Sequence, residues 1–171
     1  MRLPSIDCAT GSGRGFAPIL RLQRRAGFGP GAPDVIDFVS MTTRTAMCSC
    51  GQLRVTCEGN PVRISMCHCL ECQKRTGSTY GVQARWPAAQ AVVEGRSSRY
   101  VRTGDEGNQV TFHFCPDCGS TVYYRFDAVP EIVAVAVGNF ADPDFPPPKF
   151  SVYEDRMHRW VEVPSDAERT S

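Results

Sequence analysis

Seven cysteines in three tight groups constrain this chain more than any other feature: Cys48 and Cys50 in "CSCG", Cys67, Cys69 and Cys72 in "CHCLEC", and Cys115 and Cys118 in "CPDCG". Thiols at every second or third position cannot all face one packed core, because strand side chains alternate between faces and helical ones turn about the axis. Metal ligation explains such spacing. "CPDCG" is the strongest signal of the three. Proline inside the turn and glycine after it, between one strand pattern and the next, make a zinc knuckle that aims two sulfurs at one point. A redox pair of the same spacing would open a helix beside a β-α-β unit, and no such pattern surrounds it.

The chain has 9 cysteines in all. An odd number, these short spacings and the lack of a convincing signal peptide point to metal rather than disulfides and to a reducing compartment, so a cytoplasmic location is expected. A structural zinc wants four ligands, and one knuckle supplies two. Two partitions fit. In the first, Cys48 and Cys50 join Cys115 and Cys118, while Cys67, Cys69 and Cys72 hold a second metal with one position open, as a reactive zinc has. In the second, one closed site draws on any four of the seven and the others are bystanders.

The first partition uses every grouped cysteine and has a chemical consequence. Three thiolates leave a divalent zinc site net negative, a weaker Lewis acid than zinc held by neutral imidazoles. Hydrolysis by metal-bound hydroxide is disfavoured, and a soft ligand such as a small thiol, bound as thiolate, is favoured. Lys74 and Arg75 follow the cluster directly and are candidates to offset its charge and to meet a ligand. His68, flanked by two ligands, is read as pointing away from the sulfurs, in a supporting or surface role. His113 and His158 are read as ordinary strand or loop residues, Cys57 as a buried inert thiol, and Cys8 as having no evident task.

The rest of the chain narrows the class. Its 171 residues suit one domain with a real core, and a net charge of +1 from 19 basic and 18 acidic residues gives no support to nucleic-acid binding. No run of 18 apolar residues exists, so no membrane-spanning helix is expected. Residues 1–40 carry 6 glycines and 4 prolines with no sustained period, and are expected to be a disordered or dispensable extension. Met41, just before the first cysteine pair, is an alternative start. "RLQRR" carries only a weak targeting signal.

From Met47 onward, strand patterns alternate with turn residues: "QLRVTC", "VRISM", "STYGVQARW", "AVVEG", "SRYVRTG", "QVTFHF", "STVYYRF" and "EIVAVAVGNF". Leu53, Val55 and Cys57 share one face of the first. "DEGN" reads as a tight connection, "LECQKRTGS" holds room for a turn or two of helix, and "ADPDFPPPKF" cannot be regular. "RWVEV" closes the domain, leaving residues 163–171 as a polar tail. The expected fold is mostly β, of twisted antiparallel sheets with little helix.

Taken together, "CSCGQLRVTC", "CHCLECQKRTGS" and "FHFCPDCGSTVYYRF" resemble the signature blocks of the glutathione-dependent formaldehyde-activating enzymes, a family that also includes centromere protein V. "VAVAVGNFADPDFPPPKFSVYEDRMHRWVEV" resembles its closing region, so the likeness covers residues 44–162. The resemblance implies a zinc-stabilised fold of the Mss4-like kind and two Zn²⁺ ions: a structural one on Cys48, Cys50, Cys115 and Cys118, and a catalytic one on Cys67, Cys69 and Cys72. It also implies a carbon-sulfur lyase that joins glutathione to formaldehyde reversibly, giving S-hydroxymethylglutathione.

Arg63, Lys74, Arg75 and Arg85 are then candidates to meet the carboxylates of glutathione, and Tyr80, Tyr123, Tyr124 and Trp86 are candidates to line its groove. The competing class is a non-catalytic, zinc-stabilised protein-interaction module. A small-molecule thiol and an aldehyde are the expected partners, with no nucleic acid or membrane, and a homodimer is compatible with the open sheet edges. A chain beginning at Met41 is predicted to fold and to hold the same zinc per molecule as the full chain, measured by elemental analysis. Loss of soluble protein on removing residues 1–40 would contradict the compositional reading.

Overall fold

The alternating patterns become short strands in the structure, a computed structural model that describes residues 42–104 and 107–171. The extension over residues 1–40, with Cys8 and the alternative start at Met41, lies outside the described residues, as does part of the "DEGN" connection. The strands are β1 (Thr43–Met47), β2 (Arg54–Glu58), β3 (Arg63–Cys67), β4 (Gly81–Pro87), β5 (Ala91–Glu94), β6 (Ser98–Thr103), β7 (Gln109–Phe114), β8 (Thr121–Phe126), β9 (Ile132–Ala136), β10 (Phe150–Val152) and β11 (Glu168–Thr170). Among the described residues the α-helical content is one element, α1 (Leu70–Thr76), beside three short 3₁₀ turns. The chain is thus mostly β with little helix, as its patterns indicate.

Strands β1, β2 and β5 form a three-stranded sheet. The other strands form an eight-stranded sheet in the order β11-β10-β3-β4-β9-β8-β7-β6. Two of its pairings, β3 with β10 and β10 with β11, are parallel, against the antiparallel expectation. A parallel neighbour needs a long return path, and the proline-rich connection before Phe150 supplies one. "RWVEV" forms no strand. Instead the polar end of the chain adds β11, whose side chains are all exposed and whose place is held by backbone pairing with β10, Arg169 to Glu154 and Lys149 to Asp166. Strand β1 begins before the cysteines, where the sequence gives little alternation.

The faces of the strands divide core from site. Leu53, Val55 and Cys57 are fully buried on the inner face of the small sheet, packed with Ile64, Ala84, Trp86, Val122, Val133 and Val135 of the large one. In β4 the even positions, Ala84 and Trp86, enter this core, while Gln83 and Arg85 point to the opposite face. On that opposite face Phe112, Tyr124 and Ala134 form a second cluster, flanked by Val110 and Phe126. The period-two rule of strands therefore makes one sheet serve two environments.

Helix α1 follows directly from the second cysteine group. Cys69 caps its start by accepting from the Cys72 amide at 3.3 Å, and left-handed Gly77 ends it. Lys74 and Arg75 occupy its last turn, where cations complement the helix dipole.

Trp86 corrects one expectation. It is fully buried against Phe140 and Phe145, with its indole N–H donating to the Gly59 carbonyl at 3.3 Å, so it is a core residue and not a pocket wall. Trp160 is 71% exposed. Trp86→Ala is predicted to lower unfolding free energy by about 3–5 kcal/mol, and Trp160→Ala to change it by less than about 0.5 kcal/mol. Denaturant unfolding of the two variants checks this, and equal losses would contradict the division of the core.

Candidate functional site

Seven thiols gather at two separate points. Cys48, Cys50, Cys115 and Cys118 bring their sulfurs within 4.8 Å of one another, and so do Cys67, Cys69 and Cys72. The structure therefore segregates the cysteines as in the first of the two partitions.

The four-sulfur set is built by two turns of the same design. "CSCG" links β1 to β2 and "CPDCG" links β7 to β8, and in each a left-handed glycine follows the second cysteine, Gly51 at φ 77° and Gly119 at φ 76°. That conformation is cheap only for glycine and folds the backbone back beside the sulfurs. Backbone amides then point inward: Leu53 N–H reaches Cys48 Sγ at 3.3 Å, and Asp117 N–H reaches Cys115 Sγ at 3.4 Å.

Gln52, which the sequence did not single out, ties the turns together. Its amide donates to Cys115 Sγ at 2.9 Å and to the Arg96 carbonyl at 2.8 Å, and its Oε1 accepts from the Arg96 amide. Hydrogen bonding to Ser120 holds the Cys118 thiol down to about 5. Burial resists ionisation of Cys115, yet the Gln52 amide and neighbouring backbone N–H groups keep its thiol below the usual range.

The geometry fits a metal. Cys48 and Cys50 sulfurs lie 3.5 Å apart and those of Cys50 and Cys115 3.6 Å apart, well beyond a disulfide bond. Zinc-sulfur bonds of about 2.3 Å arranged as a tetrahedron set its sulfurs about 3.8 Å apart.

The three-sulfur set fits in a different way. Cys67 ends β3, Cys69 caps α1, and Cys72 lies in the helix's first turn. Hydrogen bonds from Cys67 and Cys72 bring the Cys69 thiol down to about 2, with Arg102 nearby adding to the effect. Sharing with Cys69 pushes Cys67 strongly up. Three sulfurs this close cannot all ionise against their mutual repulsion unless a cation sits among them.

This set opens on a cavity of about 240 Å³, lined by all three cysteines with Arg85, Arg102 and Tyr124 among the residues opposite. A second cavity of about 360 Å³ adjoins it, sharing Glu71, Cys72, Arg102 and Phe112 and adding Lys74 and Arg75. Arg85 lines the first cavity and Arg75 the second. Lys74 lines the second cavity, but its ammonium is exposed and bound to Glu71 at 2.8 Å. Arg63 does not line either cavity; its guanidinium stacks 3.8 Å from the centre of Phe150 and donates to Ser65 Oγ. Tyr123 stacks on His113 in the core, and Tyr80 lines a third cavity beside Cys118.

Arg102 was missed, although "SRYVRT" places it on the same strand face as Tyr100, the one clue a single sequence offers. His68 turns away from the sulfurs as read but is fully buried, which removes the surface alternative. Its Nε2 meets Ser151 Oγ at 3.2 Å on β10, its backbone N–H donates to the Val152 carbonyl, and burial lowers its pKa. Gln73 reaches back from α1 to the His68 carbonyl and also meets His158, so the loop carrying the cysteines is buttressed from two sides. Burial alone pushes the Cys57 thiol up to about 12, in keeping with an inert core residue.

Among the described residues, no helix is long and apolar enough to cross a membrane. No curated protein matches the chain. A crystal structure of a Rhodobacter sphaeroides protein is similar at 19% identity, covering 60% of this chain and 91% of that one with a TM-score of 0.46. The family model of the glutathione-dependent formaldehyde-activating enzyme matches residues 43–156, the span that carries every cysteine of both sets, and the chain belongs to that family.

Proposed function

We propose that Cys48, Cys50, Cys115 and Cys118 hold a structural Zn²⁺, and that Cys67, Cys69 and Cys72 hold a second, catalytic Zn²⁺ at which glutathione and formaldehyde are joined reversibly as S-hydroxymethylglutathione. One observation carries this reading: the seven thiols divide into a set of four, which satisfies a tetrahedral ion by itself, and a set of three that faces a cavity. Zinc bound there would supply acidity, lowering the pKa of a thiol that reaches it.

The chain's own groups supply the rest. Cys67, Cys69 and Cys72, which line the cavity, would hold the ion, on a loop that His68, Ser151 and Gln73 buttress. Phe112, Tyr124 and Phe126 give the cavity an apolar floor that limits water, and Arg85 and Arg102 bring positive charge to a negatively charged nucleophile. The sulfur's electron pair forms a bond to the carbonyl carbon of formaldehyde, and the carbonyl π pair moves to oxygen. That oxygen takes up a proton equivalent to the one lost by the thiol, so the addition is proton-neutral. The reverse reaction breaks the same carbon-sulfur bond. Holding both reactants at one rim converts a two-body encounter into a local one.

The two sets are predicted to separate under mutation. Cys118→Ser removes a ligand from the point that joins the two sheets, so the protein is expected to be largely unfolded or insoluble, because structural zinc binding is folding free energy. Cys69→Ser removes a ligand from a set that closes only a local loop, and serine is itself a good helix cap, so this variant is expected to fold. It should hold one zinc instead of two and form no S-hydroxymethyl adduct. Elemental analysis beside circular dichroism and adduct detection by NMR test both. Two zinc ions retained in Cys69→Ser, or equal unfolding of both variants, would overturn the assignment.

A further inference from the structure

Strand β11 is tied to the three-cysteine loop by one chain of polar side chains. Arg169 lies beyond the span that matches the family, residues 43–156, and its Nε–H meets both oxygens of Glu154 at 2.9 Å. The acid is the sheltered partner, with its side chain 15% exposed against 55% for the arginine. Burial resists ionisation of Glu154, but hydrogen bonds from Arg169 and from Ser151 hold its carboxyl below the usual range. Ser151 is fully buried on β10, in register with Arg169 on one side and with Met66 of β3 on the other. Its Oγ also meets Nε2 of His68 at 3.2 Å, and His68 stands between the ligands Cys67 and Cys69.

Proton counting gives this chain a direction. A carboxylate only accepts, so the single hydroxyl proton of Ser151 goes to Glu154, and the serine oxygen accepts from His68 Nε2–H. Nδ1 of His68 is buried with no hydrogen-bond partner, so the Ser151 contact is what orients the ring by hydrogen bonding, and Tyr80 adds an edge contact at 6.0 Å between ring centres. The backbone is bent to complete the chain. Tyr153 is left-handed at φ 60°, a conformation that a bulky residue adopts only where its surroundings impose it. The turn it makes ends β10 and puts Glu154 within reach of both Ser151 and Arg169.

Resting on the zinc reading above, we propose that Arg169, Glu154, Ser151 and His68 form a clamp through which the C-terminal strand positions Cys67 and Cys69 and sets how tightly the three-cysteine set holds its ion. Arg169 fixes Glu154, Glu154 fixes the Ser151 hydroxyl, and Ser151 fixes the imidazole and with it the loop between the two ligands. These are positioning residues, which act through the cysteines. The rival explanation is that β11 only covers the edge of the sheet, which would stabilise the whole domain without favouring either cysteine set. The four-cysteine set, with Gln52, Ser120 and backbone amides as its neighbours, shares no residue with the clamp and serves as an internal reference.

The test titrates full-length protein carrying both ions with a chromogenic chelator. Elemental analysis counts the zinc lost, and cobalt(II)-loaded protein run in parallel shows which site empties, because four thiolates absorb differently from three thiolates with another donor. Arg169→Gln is expected to weaken the three-cysteine site about tenfold or more, the range seen when the partner of a metal-site group is removed, and to leave the four-cysteine site unchanged. Arg169→Lys keeps the charge without the fixed Nε–H and should fall between. Ser151→Ala should give the same selective loss, and adding Arg169→Gln to it should cost nothing further, since the link is already cut. Should Ser151→Ala fail to fold, Glu154→Gln takes its place in the double variant with the same expected outcome.

Equal weakening of both sites by Arg169→Gln, no change at either, or additive losses in the double variant would overturn the clamp. A wild type that holds two ions, with Arg169→Gln holding them as tightly, fails the clamp alone. A wild type that holds its ion on the four-cysteine set alone fails the reading of the second zinc, and the clamp with it.

Discussion

Cys50 and Cys115 stand 65 residues apart in the chain with their sulfurs 3.6 Å apart, and this junction governs the rest of the structure. One knuckle belongs to the turn between β1 and β2 of the small sheet, the other to the turn between β7 and β8 of the large one. Their meeting holds the two sheets face to face over Leu53, Val55, Cys57 and Trp86. Closing so long a loop costs chain entropy that a few short strands recover slowly. An ion shared by both turns, as proposed, would contribute at the point where the two turns meet. Gln52 already makes that point cooperative, since its amide touches a sulfur of one knuckle from the backbone of the other.

With one face of the large sheet committed to this core, the opposite face is left for chemistry. Strand β4 illustrates the coupling: Trp86 and Ala84 pack inward, and Arg85 is therefore aimed at the cavity. Strand β9 does the same with Val133 and Val135 against Ala134, a small residue that leaves room for the aromatic cluster above it. A one-residue slip in either strand would exchange core for site side chains, so packing of the core fixes the register of the cavity wall. The edge position of β6 adds Arg102 without any role in the first core.

What could be read from the sequence follows the range of the forces involved. The alternation of Leu53, Val55 and Cys57 and the turn chemistry of "CPDCG" are local, and both stand in the structure as read. The grouping of the seven thiols was open in sequence, because spacing limits which sulfurs can meet without deciding which do. Trp86 and Tyr123 are no more than candidates for the groove in sequence, because an aromatic strand residue gives no sign of its face when both faces are covered. Strand β11 is hidden in the sequence because its exposed side chains follow no apolar pattern, and backbone pairing with β10 and the Arg169–Glu154 ion pair hold it in place. Gln52 and Arg102 act through partners far away in sequence, and no local pattern reports such a meeting.

The charges of the site also explain one another. A set of three thiolates with a fourth sulfur ligand carries more negative charge than a divalent ion neutralises, and a hydrolytic zinc centre built from imidazoles has no such excess. Guanidinium groups suit the surroundings of such a set because, unlike lysine, they do not lose their charge on burial and can rest on aromatic faces while keeping their edges free. Arg75 and Arg85 have that support, and among the described residues neither is in an ion pair. Keeping a guanidinium half-buried without a carboxylate costs stability, so positive charge gathers beside the three sulfurs at a cost that the aromatic faces lessen.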